Sequence, residues 1–69
     1  MFLSMANIGE ENTIRRIGGN DKTKTFLESL GFVTGGRVTV VSNIGGNMIV
    51  KVKEARVALN RDMANKIMI

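Results

Sequence analysis

The residues with the means to do chemistry in this 69-residue chain are six carboxylates, ten lysines and arginines, and a glycine-rich stretch, GGNDKTK, at Gly18–Lys24. The chain contains no histidine and no cysteine. That removes the usual nucleophile–base pairs and the two best transition-metal ligands, thiolate and imidazole. A metal would have to use carboxylates, backbone carbonyls and water, which suits a hard ion or a weak site. The carboxylates are Glu10, Glu11, Asp21, Glu28, Glu54 and Asp62. Glu10 and Glu11 are neighbours, no calcium-loop spacing is present, and all six read as solvated surface charge. Lysine or carboxylate catalysis stays open by residue type. A chain this short, however, can hardly enclose a pocket of roughly several hundred Å³ and still keep a core. The expectation is a protein that is not an enzyme and carries no cofactor.

GGNDKTK runs a glycine-rich loop towards a helix, as phosphate-binding loops do. The P-loop pattern needs G-x-x-x-x-G-K-[ST]. Here Asp21 precedes Lys22 and would repel phosphate, so a capped helix entry is the better reading. Basic side chains recur on strand-like segments: Arg15, Arg16, Arg37, Lys51, Lys53 and Arg56. With a net charge of +4, they favour an anionic partner, whether nucleic acid, lipid headgroups or an acidic protein face. Alternatively, the charge serves only solubility. Unpaired bases are usually stacked on aromatic side chains, and this chain has no Tyr or Trp. Phe2 is near the terminus, and Phe26 and Phe32 are expected in the core. Sequence-tolerant phosphate contact is what remains for nucleic acid.

The elements that must position these groups are legible from periodicity. Glycine pairs at Gly18-Gly19, Gly35-Gly36 and Gly45-Gly46 mark turns. Glu11–Ile17 alternates as a strand whose core face is ambiguous. Arg37–Val41 and Met48–Lys53 are β-branched strands, with Met48, Val50 and Val52 sharing one face. SNIGGN joins them as a hairpin loop. Arg56–Leu59 and Ile67–Ile69 follow as two short strands, and Asn60 caps one helical turn between them. IGGN occurs twice, at Ile17–Asn20 and Ile44–Asn47, but its flanks differ and each copy is turn chemistry.

Asn20 or Asp21 caps a helix over about residues 21–30. Phe26, Leu27 and Leu30 form its apolar stripe. Gly31 sits where a left-handed residue ends a helix, and Phe32 folds back on Leu27. The helix reads as a plug over an open small β-barrel. Met48 is assigned to the core, while Met63 is open to a surface role.

One domain spans residues 1–69, near the lower limit for a self-supporting core. MFLSMANI lacks a basic n-region and is too short for a signal sequence or a membrane span. The expected location is the cytoplasm.

Taken together, LSMANIGEENTIRRIGG, FLESLGFVTGGRVTVVS and RVALNRDMANKIMI resemble the FeoA family of ferrous iron transport accessory proteins. The matching positions are Leu3, Ser4, Gly9, Glu10, Ile14, Ile17, Leu27, Leu30, Gly31, Gly35, Val38, Val40, Ala58, Leu59, Ala64 and Ile67. Thr34 and Ile8 stand where that family usually has proline, and Lys24 corresponds to a basic residue often found before the helix leucine. The resemblance implies a mainly β, SH3-like small barrel of about five strands with one inserted helix. It also implies a cytoplasmic partner of FeoB, the membrane ferrous iron permease and GTPase. Iron is then the cargo of the system, with no ligand in this domain. Similar domains occur at the C-terminus of iron- and manganese-dependent repressors; the start at Met1 and the lack of a helix-turn-helix argue against a repressor fragment.

The leading expectation is therefore a non-catalytic accessory that binds FeoB and supports or regulates ferrous iron uptake, stationed at the inner face of the membrane through that partner. Exposure around the helix puts the contacts at Lys22, Lys24, Glu28, Phe32 and Val33, with Met63 as a further candidate away from the helix. No small-molecule substrate is expected, and an exposed edge strand could pair with a second copy. The alternatives are a small basic nucleic-acid-binding barrel and a domain that binds transition-metal ions weakly.

Overall fold

Asn20 follows the Gly18-Gly19 pair and starts the helix. In the computed structural model, which describes residues 1–69, its Oδ1 accepts the Thr23 amide at 2.9 Å, pairing one of the orphan donors of the first turn. Helix α1 spans Asp21–Ser29. Gly31 then takes φ +109°. Its amide donates to Glu28 O at 3.0 Å, and the Phe32 amide donates to Leu27 O at 3.1 Å. These are the two bonds of a Schellman ending. The inward face of α1 carries the buried Leu27, with Thr23 and the C-cap Leu30 half-buried beside it at i−4 and i+3. Phe26 does not join it. It is 50% exposed, because a residue one position before Leu27 is rotated about 100° away from the core.

Six strands form two sheets: β1 Glu11–Thr13, β2 Arg16–Ile17, β3 Arg37–Ile44, β4 Asn47–Val52, β5 Ala55–Asn60 and β6 Ile67–Met68. The larger sheet is antiparallel in the order β1-β3-β4-β5, and β2 pairs with β6 in a second ladder. The strands do not close into a single hydrogen-bonded barrel.

The expected first strand is in fact two, which raises the strand count from five to six. The Ile14 amide donates to Gly36 O at 2.8 Å, whereas the Arg15 amide donates to Met68 O at 2.8 Å. The chain thus changes sheets between these residues. Strict alternation would put Ile14 and Ile17 on opposite faces, but the switch reorients the chain and both are buried.

β3 runs past Val41 to Ile44, beyond its expected end. The register steps from Val40↔Val50 to Ser42↔Ile49, so Val41 is the extra residue of a β-bulge. The turn shrinks to Gly45-Gly46, both at positive φ, as a two-residue type I′ connection requires. Asn60 caps the short helix α2, Arg61–Ala64, by accepting the Met63 amide at 2.8 Å.

The core gathers one face of β3 and β4 (Val38, Val40, Met48, Val50 and Val52) with Leu59 of β5. Leu27, Phe32, Ile14, Ile17, Ala64, Ile67 and Leu3 close it from the helices, the second ladder and a 3₁₀ turn at Leu3–Met5. No polar or charged residue is buried within it, so no desolvation penalty sets against the apolar burial. No helix is long and apolar enough to cross a membrane.

Candidate functional site

Helical geometry divides the residues expected around α1 into two flanks. Lys24 and Glu28, at i and i+4, lie on one side of the buried stripe. Lys22 and the exposed Phe26, also at i and i+4, lie on the other. The first flank faces other charged groups.

Lys24 and Glu28 line an open cleft of about 300 Å³ together with Arg15, Arg16, Ile17 and Thr34. The sheet switch builds this cleft. Because the chain turns from β1 into β2 at Ile14–Arg15, both arginines are delivered beside α1 and remain exposed. Three cations and one carboxylate share the opening. No carboxylate lies within ion-pair distance of Arg15, Arg16 or Lys24, since the structure's only ion pair joins Arg37 and Glu11. The cleft is suited to an anionic surface group of a partner, held by charge-assisted hydrogen bonds.

The other expected contacts fall elsewhere. Phe32 is completely buried and offers no surface to a partner; its place is the core contact that ends α1. Val33 is half-buried in the connection from α1 to β3. Met63, on α2, is half-buried and packs against the core. Arg15 and Arg16, which the sequence marks only as part of a general basic character, join the helix residues here, and Thr34 completes the lining. A single strand over Glu11–Ile17 would set the adjacent arginines on opposite faces; the break between β1 and β2 brings both to the cleft.

A second groove, about 470 Å³, lies between α2 and the β3–β4 hairpin, lined by Ser4, Asn43, Gly46, Asn47, Met48, Arg61 and Ala64. It holds one cation among amides and backbone, so it carries far less electrostatic character than the α1 cleft. No three carboxylates come together as a metal-binding group. Neither opening pairs a nucleophile with a base.

The family model described as the FeoA domain matches residues 1–69. A protein of Methanocaldococcus jannaschii called "Putative Fe(2+) transport protein A" is 31% identical over 67 residues, covering 97% of this chain and 82% of that protein. A crystal structure of an iron uptake regulatory protein, FeoA, superposes with a TM-score of 0.87 at 26% identity, covering 96% of this chain and 88% of that one. Stenotrophomonas maltophilia FeoA, solved in complex with zinc and described as a prokaryotic SH3 domain protein, gives 0.86 at 28% identity, covering 99% and 87%. The helix-plugged, SH3-like arrangement of strands and the whole-length match agree: this chain belongs to the FeoA domain family.

Proposed function

We propose that this protein is a non-catalytic accessory of ferrous iron uptake that docks on the cytoplasmic part of a FeoB-type permease and GTPase. The observation that carries the proposal is the family match over residues 1–69, joined by a relative named for Fe(2+) transport. Iron is the cargo; the domain contributes a surface.

The α1 cleft is the docking element in this reading. Arg15, Arg16 and Lys24 supply the positive field, and an acidic patch of the partner supplies its complement. Glu28 at the rim fixes the approach by repelling misplaced carboxylates. Phe26 gives the helix an exposed apolar contact on the opposite flank, next to Lys22. The protein works at the inner face of the membrane, held there by its partner.

Calorimetric titration into the cytoplasmic part of the cognate FeoB tests this, first with GDP and then with a non-hydrolysable GTP analogue. Saturable binding is the expected result, and a difference between nucleotides identifies regulation. Absence of binding with both nucleotides overturns docking on that part.

A further inference from the structure

The outer face of the four-stranded sheet carries a charge arrangement that folding does not explain. Register sets Glu11, Thr39, Lys51 and Arg56 in one row across β1, β3, β4 and β5. Lys51 and Arg56 are directly opposed and both exposed. Like charges in that relation destabilise a sheet. Arg37 and Lys53 stand beside the row, and with Glu11, Thr39 and Lys51 they line a depression of about 200 Å³. Glu11 accepts from Arg37 Nη1 at 2.7 Å, which leaves Lys51, Lys53 and Arg56 without an ion-pair partner.

The same face becomes apolar towards the β3–β4 hairpin. Met48 points into the core, so alternation places Asn47, Ile49 and Lys51 outward. The bulge at Val41 shifts the end of β3 by one residue, and Ile44 comes into register with Asn47. Without the bulge, Ile44 would share the inward phase of Val38 and Val40. With it, Ile44 stands 64% exposed at the tip. Ile49 and Ala58, directly paired, lie between this tip and the cations.

We infer that this face binds the anionic surface of a lipid bilayer directly, with Lys51, Lys53 and Arg56 among the phosphates and Ile44 at the headgroup boundary. A nucleic-acid backbone would satisfy the cations equally well. It offers nothing to Ile44 and Ile49, and the face has no aromatic ring on which a base could stack. A bilayer surface supplies both dense negative charge and an apolar layer beneath it. The inference does not depend on docking through the α1 cleft, which uses other residues.

The test is co-sedimentation of the full chain with vesicles of mixed phosphatidylcholine and phosphatidylglycerol, against phosphatidylcholine alone. Retention on the anionic vesicles only, falling with salt, is expected. Lys51→Gln with Arg56→Gln should lower the partition coefficient by about 25-fold, about fivefold per charge removed. Because the opposed pair is unfavourable, these substitutions leave the melting temperature unchanged or higher. Ile44→Ser should remove the part of binding that survives high salt. Lys22→Gln with Lys24→Gln should retain most of the binding. Equal retention on neutral vesicles overturns the inference, as does a loss as large in the Lys22/Lys24 variant. Retention by duplex DNA or RNA that depends on Lys51 and Arg56, with no vesicle binding, overturns it in favour of nucleic acid.

Discussion

The Phe32 amide donates to Leu27 O across Gly31, and the Phe32 and Leu27 side chains are both completely buried in one core. One short segment thereby ends the helix, reverses the chain and fills the space under the sheet. Gly31 makes this possible at φ +109°. Space is not the constraint there, since an added Cβ would meet Val52 Cγ2 at 3.5 Å, an ordinary contact. Gly31→Ala is therefore expected to cost about 1–2 kcal/mol through backbone conformation alone. Phe32→Ala should cost about 3–5 kcal/mol through lost burial and the cavity left behind. Urea denaturation of both variants checks the order; equal costs would contradict it.

The two asparagine caps predict separable losses. Asn20 accepts the Thr23 amide and Asn60 accepts the Met63 amide, on helices that pack at different places. Asn20→Ala and Asn60→Ala should each destabilise by about 1 kcal/mol. With no shared partner, the double variant should lose their sum within about 0.5 kcal/mol. Asn20→Asp should retain most of the stability, because a carboxylate caps equally well and suits the helix N-terminus. Thermal and urea unfolding of the four proteins provide the comparison.

Local signals made much of this fold legible. The Asn caps, the glycine stop with its Phe32–Leu27 contact, and the inward set Met48, Val50 and Val52 each follow from residues close in sequence. What period alone could not reveal was tertiary. The switch at Ile14–Arg15 depends on Gly35-Gly36 and Met68, both distant in the chain. Phe26 matched the apolar stripe by type, but rotation favours Thr23 beside Leu27 and Leu30, and a polar residue at the rim of the stripe costs little. The bulge at Val41 also leaves no local mark, since Val38–Val41 reads equally well as uninterrupted strand. These same non-local features assemble the α1 cleft and expose Ile44, which is why the site was less legible than the elements.

Lys53 turns the chain between β4 and β5 at φ +54°, the one non-glycine residue in this conformation. A side chain there carries a backbone cost of about 1–2 kcal/mol. Glycine removes that cost while adding flexibility to the unfolded chain. Lys53→Gly should therefore raise stability by up to about 1 kcal/mol, and Lys53→Asn should act in the same direction because asparagine tolerates the left-handed region. Lys53→Val should destabilise, because a β-branched side chain is strained there. Chemical denaturation distinguishes these outcomes. A more stable Lys53→Gly variant with weaker binding to anionic vesicles would show stability exchanged for charge at this turn.

The division of α1 into two flanks gives the last prediction. Lys24 shares its cleft with Arg15 and Arg16, whereas Lys22 stands with Phe26 on the opposite side. If docking follows the positive field, Arg16→Glu with Lys24→Glu should weaken association with an acidic partner by at least about tenfold, mainly through a slower association rate, and added salt should slow the parent protein but not the variant, narrowing the difference. Lys22→Glu alone should have a smaller effect. Phe26→Ala should slow nothing electrostatic, but it should speed dissociation if the apolar flank seats on the partner. All four residues are exposed, so none of these variants should shift the melting temperature by more than the few degrees typical of surface changes. Surface plasmon resonance against the cytoplasmic part of FeoB, at low and high salt, separates the two flanks. Equal losses from Lys22→Glu and from the double variant would place the partner across the whole helix rather than in the cleft.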